Sequence, residues 1–292
     1  MKRPTVCAWS SLVTLAILAA MLASCGGAAT TTPPTGATTP PTSSAPPTTT
    51  TAAASVPTHG GQLVQVLATD PSVFDPAVTS AGGSILCDYV YESLFTSDWL
   101  RGTAGSNITD YTSGANYVED YYGLQGLAES WTMPSQGVWV IKIRQGVRWQ
   151  QTNTPAGSLM GGRELTVDDL VYNFNRLKDP RSWGMVSQTK MMNAASFEKT
   201  GPWEVTIKTP VDPWTAFVWL IYTAGFYRVF PTEVCKKYGD VSDWHNAVGT
   251  GPFILKDFVS GSSMTFAKNP TYWDTDPIGP GKGNKVPYVD AL

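Results

Sequence analysis

Residues Gly26 to His59 contain no charged side chain and are dominated by Thr, Pro, Ala and Ser. Such a stretch has almost nothing apolar large enough to bury, so it cannot offset the entropy of ordering itself and is expected to stay extended and solvated. Residues 25–59 are therefore read as a tether, with a reach of roughly 30 Å as a flexible coil and towards about 100 Å if stiffened like polyproline. Whatever folds must fold from residue 60 onward. That part has the means: the 292-residue chain is 42% hydrophobic and 15% charged, enough for a sizeable core. Lys2 and Arg3 are the only cations before residue 60, which leaves 18 cations against 23 anions, or −5. A chain with this balance has no basic stripe to displace counterions from phosphates, so nucleic acid is excluded as a partner.

The first 24 residues have the form of an export signal. Lys2 and Arg3 precede an uncharged apolar run, residues 12–22 (LVTLAILAAML), which is short for a bilayer span and suits a cleaved signal. The run ends at Leu22-Ala23-Ser24-Cys25, which resembles the lipobox of bacterial lipoproteins; the alternative is an ordinary signal peptide that ends near a cysteine. On the lipobox reading Cys25 carries the lipid, a diacylglyceryl thioether with added acyl chains such as palmitate, and two or three chains make attachment durable. The folded part is then expected outside the cell or in the periplasm, leashed to the outer face of the cytoplasmic membrane. Cys7 leaves with the signal, so Cys87 and Cys235 remain. They are the candidate pair for a disulfide in an oxidising compartment, the alternative being two buried thiols.

From Gly60 the pattern alternates strand and helix. GGQLVQVLATD (60–70) reads as a strand buried on both faces, and residues 84–95 read as a helix. Residues 96–126 lose periodicity and read as a surface insertion. Trp139, Ile141 and Ile143 alternate with Lys142 and Arg144 as in a strand with one wet face. Thr166 with Asp169 approximates a capping box ahead of a helix over 166–178. WEVTIKT (203–209) reads as a strand, WTAFVWLIY after Asp212-Pro213 as a buried helix, and 231–239 as a short helix closed by Gly239. GPFILKDF and SSMTFAKN form a strand pair turning at Gly261. The interleaving predicts an α/β fold with a mixed sheet.

Five blocks in this order carry a family resemblance: GGQLVQVLATDPSVFDPA; YESLF with LAESW; VWVIKIRQGVRW with GRELTVDDLVYNFNRL; WEVTIKTPVDPW; and VGTGPFILKDF with KNPTYW. Their order and spacing resemble the family 5 extracellular solute-binding proteins, the peptide, dipeptide and nickel receptors of ABC importers. The resemblance implies a type II periplasmic-binding-protein-like fold with two lobes that close on a ligand. It implies that residues 60–292 form the larger lobe, with a sheet subdomain over about 60–91 and 231–292 and an extra subdomain over about 92–230. By position, Thr79, Ser80, Ala81, Gly82 and Gly83 would pass over the ligand, where small residues let the backbone approach an extended peptide; a plain connecting turn is the alternative. Trp183 would sit near the ligand, with a packing role equally open. Implied partners are a peptide or other small solute and an ABC permease with its ATPase, and a monomer is expected.

The chain also departs from the family. Members are considerably longer, and VPYVDAL resembles the strand that crosses into the second lobe, so that lobe is expected to be missing and the chain to be a truncated form or fragment, the alternative being a natural one-lobed protein. QTNTPAGSLMGGREL is longer than the usual turn there. No cofactor, metal or catalysis is expected. His59 and His245 lie in tether and loop, no G-x-S-x-G or H-E-x-x-H occurs, and neither Cys87 nor Cys235 has a neighbour at metal-ligand spacing. The rival to a receptor is a structural or adhesive surface lipoprotein.

Overall fold

The structure, a computed structural model, describes residues 55–71, 74, 75, 77, 89–95, 126–209 and 228–292, all within one unit, Ala53–Leu292. Two sheets organise it. In the first, β1 (Ala128–Ser135) and β2 (Val138–Ile143) form a hairpin, and β3 (Ser196–Gly201) and β4 (Glu204–Lys208) form another. The order is β1-β2-β4-β3, antiparallel throughout, with Trp139 opposite Ile207 and Ile141 opposite Val205. The expected alternation holds: Trp139, Ile141 and Ile143 are buried while Lys142 is exposed.

Between the hairpins lie α1 (Pro155–Met160), α2 (Val167–Arg176) and α3 (Trp183–Ala194). The capping box forms as expected: Asp169 Oδ2 accepts from the Thr166 N–H at 2.9 Å. Val167, Leu170 and Phe174 fall on one face and are fully buried, and the Phe174 ring stacks on Phe197 of β3 at 4.5 Å. The N-terminus of α2 is tied to α4 (Thr232–Tyr238) by Arg163. Its guanidinium forks onto Asp169 at 2.8 and 2.6 Å and onto Glu233 at 2.7 and 2.6 Å, the bidentate geometry that charge-assisted pairs favour. Burial alone would raise the Asp169 carboxyl, but the bonds from Arg163 outweigh it and hold it below its ordinary value.

In the second sheet, β5 (Phe253–Val259) pairs antiparallel with β6 (Ser263–Lys268) across a turn where Gly261 has φ +71°. The segment Tyr288–Leu292 lies on the other side of β6: Phe266 and Leu292 exchange both backbone bonds at 3.0 Å, and the Lys268 N–H donates to Asp290 O at 2.8 Å. Gly60–Leu63 adds to this segment, its Leu63 N–H donating to Ala291 O at 3.1 Å and Gly61 O accepting from the Asp290 N–H at 2.9 Å.

Three expectations change. Residues 60–70 do not form a strand buried on both faces. Their only ladder bridge among the described residues is Gln62 to Ala291, beyond Leu63 their backbone makes no ladder bond among the described residues, and Leu63, Val64 and Val66 are 54, 79 and 91% exposed. The helix over 84–95 is helical only at Tyr89 and Val90 among its described residues. Beyond them the carbonyls of Val90, Glu92, Ser93 and Leu94 accept instead from Gly251, Val229, Leu127 and Ala128, which a helix would forbid. QTNTPAGSLMGGREL, read as a long turn, contains α1, whose N-cap Thr154 accepts from the Gly157 N–H at 3.1 Å. Residues 96–125 and WTAFVWLIY lie outside the described residues.

Phe174→Ala is expected to cost about 3–5 kcal/mol through lost transfer energy and a cavity beneath β3, read from urea unfolding midpoints. A loss below about 1 kcal/mol would contradict the packing described.

Candidate ligand-binding site

The residues expected over the ligand, Thr79, Ser80, Ala81, Gly82 and Gly83, lie outside the described residues, but segments before and after them in the chain are described. The first root is Asp75, which has no exposed surface. Its Oδ1 accepts from the Ala77 N–H at 3.0 Å, an Asx-type turn that shapes the loop's start. Its Oδ2 accepts from the Val241 N–H at 3.1 Å and from Arg176 Nη2. Arg176 stands in the last turn of α2, where a cation complements the helix dipole, and lies over the Phe230 ring at 5.2 Å. Phe74, beside Asp75, meets Phe258 of β5 edge-on at 5.1 Å.

The second root is Tyr89–Phe95. Val90 O accepts from the Gly251 N–H at 2.9 Å, and the approach is so close that a Cβ on Gly249 would stand 1.7 Å from Val90 O. Only glycine fits there, which gives VGTGPF a physical reason. Gln150, fully buried, holds that strip in place. Its Nε2 donates to Gly251 O at 3.1 Å and Phe253 O at 2.7 Å, and its Oε1 accepts from the Gly249 N–H at 3.2 Å. Asn269 Nδ2 adds a second bond to Gly251 O at 2.9 Å.

Glu92 fastens the same segment to KNPTYW. Its carboxyl accepts from Trp273 Nε1 at 3.0 and 3.1 Å and from the Tyr272 hydroxyl at 3.1 Å. Burial pushes the carboxyl up to about 7; the hydrogen bonds from Trp273 and Tyr272 pull it down, and Asp274 adds repulsion. Arg144 lies over the Trp273 ring at 5.0 Å and donates from Nε to Gly126 O at 2.8 Å. Beside them is a recess of about 530 Å³ lined by Glu129, Arg144, Trp273 and Lys285 among others.

Of the other expected site residues, Trp183 is the first residue of α3, whose N-cap Ser182 Oγ accepts from the Met185 N–H at 3.1 Å; the Trp183 side chain lies outside the described residues. Cys25 and Cys87 lie outside them too. Cys235, on α4, is a buried free thiol, pushed up to about 12 by burial. His245 is exposed, pairs through Nδ1 with Asp243 at 2.7 Å and stacks on Trp244 at 3.9 Å. Among the described residues no group of three or more His, Cys, Asp and Glu could hold a metal ion. Sequence reasoning did not single out Asp75, Glu92, Gln150 and Arg176, although all but Gln150 stand in the five blocks: a block supplies the residue but not its partner.

Residues 124–292 match the model for bacterial extracellular solute-binding proteins, family 5 Middle, and the chain belongs to this family. Among its relatives is the probable di/tripeptide-binding protein 5 of Pseudomonas aeruginosa (strain UCBPP-PA14), 28% identical over 217 residues, which covers 69% of this chain and 37% of that protein. Similar structures include the oligopeptide-binding protein AppA of Bacillus subtilis with a nonapeptide, with a TM-score of 0.54 at 20% identity over 80% of this chain and 40% of that one. DppA of Helicobacter pylori with peptide STSA superposes with a TM-score of 0.56 at 20% identity over 80% of this chain and 42% of that one. The fold is that of type II periplasmic binding proteins, and members of the family bind solutes rather than convert them. The chain spans about 37% of the length of the first curated relative.

Glu92 yields a pH prediction. Its folded value, about 7, lies above the ordinary 4.5, so folding favours the protonated form. The stability it contributes is fully present below pH 4.5 and is lost as pH rises through 7. Unfolding free energy should fall by about 2 kcal/mol between pH 5 and 8. Glu92→Gln, which keeps an acceptor for Trp273, should flatten that decline in urea titrations. Parallel pH profiles for the two proteins would contradict the assignment.

Proposed function

We propose that this chain is the larger lobe of a substrate-binding lipoprotein of an ABC importer, which captures an extracytoplasmic peptide by lobe closure and delivers it to the permease. The observation that carries this reading is the family match over residues 124–292. The relative from P. aeruginosa is named for di- and tripeptides, which favours a peptide over other solutes. Thr79 to Gly83 form the ligand-facing turn. They spring from roots held by buried polar bonds at Asp75 and at Val90–Glu92, and rigid support of that kind positions a binding loop. Small side chains there let backbone groups pair with an extended peptide. Residues 1–24 direct export, Cys25 carries the lipid, and the charge-free tether gives the lobe room above the membrane. Residues 60–91 and 231–292 form the sheet subdomain, and 92–230 the extra one.

Calorimetry on the full-length, signal-free protein with both lobes should give heats with di-, tri- and longer peptides and none with sugars. Gly82→Val should weaken peptide binding about tenfold or more, equivalent to about 1.4 kcal/mol, with thermal unfolding unchanged. Silence across all peptides would overturn the receptor reading and favour the adhesive one. Cys25→Ala should move the protein from the membrane fraction of expressing bacteria to the soluble fraction; equal partitioning of both forms would overturn the lipid anchor.

A further inference from the structure

Between Asn269 and Thr275 the chain is held at both ends but only lightly in the middle. Asn269 is buried; its N–H donates to Pro252 O at 2.8 Å and its Nδ2 to Gly251 O at 2.9 Å. Thr275 is bridged to Lys285. Among the described residues, the backbone of Thr271–Trp273 makes one bond to other backbone, a long one from the Tyr272 N–H to Asn269 O at 3.3 Å. Thr271 is exposed, and Tyr272 and Trp273 are half-buried. The two aromatic side chains are fastened to the body by Glu92, whose carboxyl accepts from the Tyr272 hydroxyl at 3.1 Å and from Trp273 Nε1 at 3.0 and 3.1 Å.

The groups around that carboxyl favour different charge states. Thr250, with no exposed surface, turns its hydroxyl towards Glu92, yet Thr250 Oγ1 makes no bond of ordinary geometry to a described group. Asp274 repels a charge on Glu92. Arg228 lies by the neighbouring Ser93, Nη1 to Oγ at 3.4 Å. Beside Tyr272 and Trp273 is the recess of about 530 Å³, lined also by Glu129 and by the cations Arg144 and Lys285. Both cations act on Asp274. Trp273 is common to the two sides, with Glu92 at its Nε1 edge and Arg144 over its ring at 5.0 Å. A protonated Glu92 can donate to Thr250 Oγ1 while it accepts from Trp273 and Tyr272, which satisfies the buried polar groups with no cation. An ionised Glu92 can only accept and is disfavoured by burial and by Asp274. The recess offers it water and two cations.

We propose that Thr271–Trp273 is a proton-operated lid on Glu92, shut over the protonated carboxyl and opening into the recess when the carboxyl ionises. The open form binds fewer protons, so opening increases with pH. The increase runs from pH 4.5 to about 7, the ordinary and the closed values of Glu92, and levels off above. Between pH 5 and 8 the opening constant rises about 50-fold or more. The lid rests on Tyr89–Phe95, the strip that follows the candidate ligand loop, so under the receptor reading it makes support of that loop dependent on pH. The lid itself does not rest on that reading, and its test uses no peptide.

The test is hydrogen exchange of the Trp273 indole N–H in the full chain, read by NMR as protection relative to free indole so that the intrinsic pH dependence cancels. The amides of β4, a strand paired on both sides, serve as the reference for global unfolding. Protection at Trp273 should fall about 50-fold or more between pH 5 and 8 and respond little to low urea, whereas the β4 amides should be better protected and urea-sensitive. Glu92→Gln should make Trp273 protection level across this range. Asp274→Asn, which removes the repulsion, should move the fall to lower pH. Three results would each overturn the proposal: Trp273 protection indifferent to pH, protection and urea dependence at Trp273 equal to those of β4, or a fall that persists unaltered in both variants.

Discussion

A carboxylate with no exposed surface is tolerated only where its charge is matched, because desolvation costs several kcal/mol. Asp75 meets that condition through Arg176 and two backbone N–H groups, those of Ala77 and Val241. Its partners come from three places in the chain: the turn after the first extended segment, the end of α2, and the loop after α4. The ion pair therefore sets where the candidate ligand loop begins, and α2 is in turn fixed by Phe174 on β3 and by the Arg163 fork. A change at Asp75 is expected to reach all of these elements.

The other end of the loop is fixed by different means. There the chain gives up its own helical bonding at Val90 and lends its carbonyls to Gly251, Val229, Leu127 and Ala128. Close backbone contact at Gly249 and the threefold bonding of Gln150 hold that exchange in place. One root rests on a buried charge pair and the other on neutral hydrogen bonds, with Glu92 the one ionisable group described there that sits near neutrality.

Elements whose signal is local were legible in the sequence. The β2 and β4 alternation, the capping box of α2 and the β5–β6 turn at Gly261 all follow from residues within a few positions of one another. What was missed depends on distant partners. Residues 60–70 have the composition of a core strand, but burial requires neighbours on both sides, and among the described residues only Gly60–Leu63 is paired along its backbone. Residues 89–95 have helical spacing, but four backbone donors from elsewhere win their carbonyls. The five blocks pointed to the family without showing that Asp75 pairs with Arg176 and Glu92 with Trp273 inside this chain. Thr79 to Gly83 were picked out by resemblance alone and lie outside the described residues.

The coupling between Asp75 and Arg176 is the most direct measure of whether this buried pair organises the lobe. A double-mutant cycle with Asp75→Asn, Arg176→Met and the double variant, read from urea unfolding, should give a coupling energy of about 2–3 kcal/mol, with each single change costing more than the pair's joint removal would suggest. Additive costs, with a coupling near zero, would contradict the account.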